Sequence, residues 1–209
     1  NAAAVRDGLF GDINPKQKHS LEAVTKNLHY LRETVKKFLD LSRIEKGELE
    51  INKTAVRLRE DVFEPCLETF AAEMAEKQMD VADNIAAGIT VQGDLDLLRI
   101  AANNLVGNAV KYGVDGGKVT LGSEEIAGRV RIEIYNDSRP IAEDEKAKLF
   151  KKFSRLQAPG ERTVKGTGLG LFVTKEIITK HGGDIRVEPR ENGNSFIFEI
   201  DKNPETPYL

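Results

Sequence analysis

The feature that most limits the fold is a narrow apolar seam near the N-terminus. Leu21, Val24, Leu28, Leu31, Val35 and Phe38 recur at alternating spacings of three and four residues. On one helix these positions make an a/d stripe, which suits a coiled coil or a four-helix bundle better than a helix lying on a sheet. Asn14 is a good N-cap, Pro15 fits the first helical position, Gln17 stands where a capping box wants Glu or Gln, and Gly47 supplies the stop. Residues 2–5 and the Asp7-Gly8 and Gly11-Asp12 pairs read as a helix tail and a turn. The expected unit, residues 1–47, is part of a helical hairpin. A single arm cannot bury its own seam, so self-association into a homodimer is expected.

After Gly47 the pattern changes. Leu58, Val62, Phe63, Leu67, Phe70 and Met74 mark a helix, which Pro65 should kink or start later. Helices are expected over residues 94–112, 143–153 and 168–181. Strands are expected at 80–84, 90–93, 119–121, 130–134, 185–188 and 195–200, the last two joined by an Asn192-Gly193 turn. Helices and strands mixed without strict βαβ alternation predict an α+β two-layer sandwich over residues 48–209.

Composition narrows the function classes. The chain has 209 residues, 31 Lys+Arg against 34 Asp+Glu and 40% hydrophobic residues. That is a globular composition, and its slightly acidic balance argues against nucleic acid as the main partner. A single cysteine, Cys66, excludes a disulfide framework, and with only 3 histidines an ordinary zinc site is excluded too. The apolar runs are too short to span a bilayer and no signal peptide opens the chain, so direct membrane contact is not expected and a cytoplasmic location is.

Three clusters could carry chemistry. Asn104, Asn108, Lys111 and Tyr112 fall on one side of a helix. Two carboxamides, a cation and an aromatic there can hold a hydrated Mg²⁺, a phosphate and a nucleoside edge. Residues 166–171, Gly-Thr-Gly-Leu-Gly-Leu, lead straight into a helix, where backbone N–H groups and the helix N-terminus favour phosphate. They match neither the dinucleotide fingerprint nor a P-loop. Residues 135–141 follow an alternating strand as one wall of a cleft, and residues 149–155 follow them. Each cluster alone also fits an ordinary solvated face, turn or helix start.

Taken in order, these pieces resemble the ATP-binding region of sensor histidine kinases, members of the GHKL ATPase superfamily. Asn104-Leu105-x-x-Asn108-Ala109-x-Lys111-Tyr112 is similar to the family's N box, Leu149-Phe150-x-x-Phe153-x-Arg155 to its F box, and residues 166–171 to its G2 box. His181-Gly182-Gly183-Asp184-Ile185 resembles the helix-to-strand turn that follows, and residues 38–47 the end of the dimerisation hairpin. The resemblance implies a Bergerat-type fold that binds ATP and Mg²⁺. Asn108 would ligate the metal, Asn104 would lie near the phosphates, and Lys111 and Arg155 would reach phosphate. Tyr112 would pack along the nucleoside, and Gly166, Gly168 and Gly170 would bring backbone close to the triphosphate. Asn136, Ser138, Ile141, Phe153, Thr167, Leu169 and Leu171 would complete the nucleotide contacts, with residues 154–165 as a lid. The implied activity is transfer of the γ-phosphoryl to a histidine outside this chain, then to an aspartate of a response-regulator receiver domain.

Two departures stand out. The family's G1 box reads Asp-x-Gly-x-Gly, with the Asp accepting from the adenine amino group; here the positions hold Asn136, Ser138 and Pro140. An amide oxygen still accepts that bond, weakened by about 1 kcal/mol without charge assistance. Neither His19 nor His29 stands in a His-Glu-x-x-x-Pro-like phosphoacceptor motif, and His181 reads as a helix C-terminal residue where a cation is favourable. The altered G1 box motivates a rival expectation, a degenerate kinase serving as a dimeric signalling scaffold. A serine kinase of the anti-sigma type is a further alternative, against which the hairpin seam counts.

Overall fold

The computed structural model describes residues 4–5, 7–9, 11–45, 51–156 and 166–202. Helix α1 spans Pro15–Glu45. Its start is the reciprocal capping box read from the sequence: the Asn14 N–H donates to Gln17 Oε1 and the Gln17 N–H to Asn14 Oδ1, each at 2.9 Å. Val24, Leu28, Leu31 and Val35 of the seam are exposed by 46% to 57%, so this chain leaves the stripe uncovered. Gly47, expected as the stop, lies outside the described residues.

The rest is a two-layer α+β sandwich. Strands β1 (Thr54–Arg57) and β3 (Thr90–Gly93) form a small antiparallel pair. The main sheet has five strands in the order β2-β4-β5-β7-β6. They are β2 (Asp80–Asn84), β4 (Lys118–Ile126), β5 (Arg129–Asp137), β6 (Asp184–Arg190) and β7 (Gly193–Asp201). β2 runs parallel to β4, and every other pairing is antiparallel. The alternation in β5 sets the two faces: Val130, Ile132 and Ile134 are buried, while Arg131 and Glu133 point outward into an Arg–Glu lattice with Glu199 and Arg190. Helices α2 (Glu64–Glu76), α3 (Leu95–Tyr112) and α5 (Gly170–Lys180) cover the apolar face, with Leu105, Ile177 and Ile178 fully buried.

Several boundaries differ from the sequence reading. A π-helical stretch, Leu58–Phe63, precedes α2, so Pro65 sits in the first turn of that helix, where its missing N–H removes no helical hydrogen bond. Helix α4 is only Glu143–Leu149: Phe150, at φ −94° and ψ 12°, already leaves helical dihedrals, and Phe153 takes a left-handed φ of 59° that a helix cannot contain. Likewise α5 starts at Gly170 and not at 168, since Gly168 has φ of 70°. In the β6–β7 hairpin the turn residues are Glu191 and Asn192, and Gly193 is already paired with Arg190. A Cβ at Gly193 would lie 2.2 Å from the Asn136 carbonyl, so a glycine lets β7 approach β5 there.

Candidate functional site

Helix α3 presents the polar stripe, and both of its ends are fixed. At the N-terminus Asp94 is the cap: its Oδ1 accepts from the Leu97 N–H at 3.1 Å. The Asp94 N–H in turn donates to His181 Nε2 at 3.0 Å, and His181 Nδ1 lies 2.7 Å from the Ile177 carbonyl. These two contacts assign the Nδ1–H neutral tautomer, because a protonated ring has no lone pair for the Asp94 N–H. Burial lowers the His181 pKa, with opposing help to the cation from the Ile177 carbonyl and Asp94, while Lys53 lowers it further. His181 does follow α5 as expected, but as a buried neutral acceptor and not as a cation at the helix end. At the other end of α3, Lys77 Nζ donates to the carbonyls of Val110 at 2.8 Å and Gly113 at 3.0 Å. That ammonium occupies the negative end of the helix dipole.

Between these anchors the stripe faces the glycine-rich segment. A Cβ at Gly170 would lie 3.1 Å from Asn104 Oδ1, and one at Gly166 would lie 2.6 Å from Lys111 Nζ. Glycine therefore permits the close approach of this backbone to both side chains. Asn104 is buried, and its Nδ2 is among the buried side-chain atoms with no hydrogen-bond partner. A buried amide left in that state costs about 1–3 kcal/mol, so a donor is held ready for an acceptor. Asn108 is half-buried one turn further along. Lys111 Nζ stands 4.8 Å from the centre of the Tyr112 ring, and Tyr112 is half-exposed.

The F-box segment closes onto the same place. A Cβ at Gly168 would meet the backbone of Phe153 at 2.7 Å and the Ser154 carbonyl at 2.8 Å. Burial raises the Tyr112 phenol pKa, and the positive charge of Arg155 opposes that rise. Phe153 itself is 63% exposed. The Thr167 hydroxyl accepts from the Leu169 N–H at 3.3 Å, Leu169 is buried and Leu171 packs partly buried against the core. Residues 157–165 of the expected lid lie outside the described residues.

The turn after β5 adjoins the end of α3, since the Val114 N–H donates to the Asp137 carbonyl at 3.0 Å. Asn136 is 3% exposed, and its Nδ2 makes a long 3.4 Å bond to that same carbonyl. Asn194 of β7 holds the turn from behind, bonding to Ser138, Arg139 and Ile141. The structure thus brings Asn104, Lys111, Tyr112, Phe153, Gly166, Gly168 and Gly170 together, with Arg155 two residues beyond Phe153, Asn136 near the end of β5, and Ser138 and Ile141 on the turn after it. Lys77, Asn194 and the acceptor role of His181 escape the sequence reading. Asn194 stands next to the expected Asn192-Gly193 turn, where an Asn is ordinary, and a lysine after a helix signals nothing by itself.

Residues 93–204 match the family described as histidine kinase-, DNA gyrase B-, and HSP90-like ATPase. The chain is 26% identical over 185 residues to the sensor-like histidine kinase SenX3 of Mycolicibacterium smegmatis, covering 88% of this chain and 48% of SenX3. It is 29% identical over 205 residues to the signal transduction histidine-protein kinase BarA of Escherichia coli, covering 94% of this chain and 22% of BarA. The chain thus spans half or less of the length of these curated relatives. Among solved structures, the catalytic domain of histidine kinase ThkA superposes with a TM-score of 0.64 at 33% identity, over 74% of this chain and 98% of that one. ThkA in complex with the response regulator TrrA gives a TM-score of 0.72 at 28% identity, over 99% of this chain and 59% of that one. The α+β sandwich is the fold of these catalytic domains, and the chain belongs to the histidine kinase-, DNA gyrase B-, and HSP90-like ATPase family.

Proposed function

We propose that this chain is the ATP-binding catalytic region of a histidine protein kinase in a two-component system, residues 48–209, preceded by part of a dimerisation hairpin in residues 1–47. The observation that carries the reading is the approach of Gly166 and Gly170 to Lys111 and Asn104, beside an Asn104 Nδ2 that lacks a partner. A neutral buried donor, a cation and closely approaching backbone are what a polyphosphate needs. The half-buried Asn108 carboxamide fits Mg²⁺, which takes oxygen ligands and keeps several waters.

In this mechanism Lys111 and Arg155 neutralise phosphate charge, and Asn104 donates to a phosphate oxygen. Tyr112 packs along the nucleoside with Lys111 against its ring, and Asn136 Oδ1 accepts from the base. Gly166, Thr167, Gly168 and Leu169 shape the loop that closes over the phosphates, next to Phe153, and Ile141 and Leu171 close the apolar sides. Bound Mg²⁺ supplies charge neutralisation on the phosphates. Catalysis rests on positioning and electrostatics, the protein itself forming no covalent bond in this region. The γ-phosphoryl goes to a histidine outside this chain, and then to an aspartate of a response-regulator receiver domain. The crystal structure of ThkA in complex with the response regulator TrrA supports the partner class. Dimerisation uses the exposed a/d seam of α1, and the working location is the cytoplasm. Among the described residues no helix is long and apolar enough to cross a membrane.

Calorimetric titration with ATP, with and without Mg²⁺, tests the reading. Magnesium-dependent binding that Asn108→Ala abolishes is the expected result. A folded chain that binds no ATP overturns it and moves the assignment to the dimeric scaffold, with Asn136 and Ser138 as the cause.

A further inference from the structure

Asn194 is 3% exposed and spends its whole carboxamide on one turn. Its Oδ1 accepts from the Ile141 N–H at 2.8 Å, and its Nδ2 donates to Ser138 Oγ at 2.9 Å and to the Arg139 carbonyl at 2.8 Å. These are both amide protons and the acceptor, at good hydrogen-bond lengths, across 53 to 56 residues of chain. The same turn is held elsewhere by the Ser138 N–H on the Asn192 carbonyl at 3.1 Å and by the Arg139 guanidinium on Glu145 at 3.1 Å. Its base is tied to the end of α3 through Val114 and Asp137.

Glycines at positions 138 and 140 would form such a turn through backbone freedom. Serine and proline stand there instead, and neither has a positive φ. The turn therefore gets its shape from fixed contacts, and the side chain that glycine would lack is the one Asn194 binds. Because Asn194 pairs directly with Asn136 across β5 and β7, the residue that fixes the turn also neighbours the one that faces the base.

We propose that Asn194 is a positioning residue for the base end of the nucleotide site. By holding Ser138, Arg139 and Ile141 it sets the turn that follows Asn136, and so offsets the missing glycines. This rests on the ATP-binding reading above. A merely structural Asn would, when removed, weaken every ligand of the domain alike. A positioning role acts on the base and spares the phosphates.

The test compares Mg²⁺-ADP with Mg²⁺-tripolyphosphate by calorimetry on the whole chain, and follows exchange of the Ile141 amide without ligand. In Asn194→Ala the Ile141 amide is expected to exchange faster. ADP affinity is expected to fall about tenfold and tripolyphosphate affinity to stay within about twofold. Ser138→Ala, which leaves two of the Asn194 bonds in place, is expected to lose about two- to threefold for ADP only. A folded Asn194→Ala that binds ADP within about twofold of the parent overturns the proposal, as do equal losses for both ligands. Should Asn194→Ala not fold, Ser138→Ala decides: unchanged ADP affinity there overturns it. A parent that binds no ADP overturns the ATP-binding reading and this proposal together, whereas a parent and variant that bind alike overturn this proposal alone.

Discussion

Replacing His181 by Phe keeps a ring of similar size and removes both nitrogens. The Ile177 carbonyl still accepts from the His181 backbone N–H at 3.1 Å, so the exchange leaves one group stranded, the Asp94 N–H. A part-buried donor without a partner costs about 1–3 kcal/mol. At roughly 2–4 °C per kcal/mol for a chain of this size, a 2 kcal/mol loss lowers Tm by about 4–8 °C. The pH dependence follows from the lowered pKa. Since the folded value lies below the unfolded one, near 6.5, the unfolded chain takes up the proton first as pH falls. The stabilisation from neutral His181 is complete above pH about 6.5 and is lost as pH drops through the folded pKa. His181→Phe lacks this loss, so the stability gap between parent and variant narrows between about pH 7.5 and pH 5. Urea unfolding of both proteins across that range measures the gap directly, other titrating groups cancelling in the difference. A gap that widens toward acid pH refutes the reasoning, because it would mean that the native state holds His181 as a cation.

Two further outcomes are expected. Gly168→Ala forces an alanine to φ of 70° with its Cβ 2.7 Å from the Phe153 backbone, which cannot give as a flexible side chain can. The left-handed conformation alone costs about 1–2 kcal/mol, so ATP affinity falls about tenfold or more, and unchanged affinity in the same titration would show that the loop does not need this shape. Leu28→Lys places a charge in the middle of the exposed a/d seam, where Leu28 is 55% exposed in the single chain. The parent is expected to sediment as a dimer and the variant as a monomer, and a monomeric parent would remove the seam from the interface.

What could be read from the sequence is what depends on near neighbours. The Asn14–Gln17 cap, the alternation of β5 and the stripe from Asn104 to Tyr112 are set by spacings of a few residues, and the structure has each of them. The α+β sandwich followed from the same periods. The element ends at Phe153 and Gly168 were misplaced, because each takes its left-handed φ where two distant backbones meet. Asn194, Lys77 and His181 act across 33 to 87 residues, and no local pattern distinguishes such partners from ordinary polar residues. The altered G1 box was visible only as lost glycines. Its counterpart in β7 needed the register of Asn136 against Asn194.

These long-range contacts share a target, the placing of α3 and the turn beside it. His181 joins the last turn of α5 to the cap of α3, so the helix that carries Gly170 is fixed to the helix that carries Asn104. Lys77 holds the opposite end of α3 by the carbonyls of Val110 and Gly113, which flank Lys111 and Tyr112. Asn194 holds the turn that abuts that end. If the proposed nucleotide site is the working one, its side built on α3 and the sheet is prepared before the nucleotide arrives, and little conformational entropy remains to be lost there on binding. On the opposite side the described residues 166–168 precede α5, and their path is shaped by the contact of Gly168 with Phe153 and Ser154. Binding energy from the nucleotide is therefore spent on that segment, and affinity should respond more to substitutions at residues 166–168 than to conservative changes along the buried face of α3.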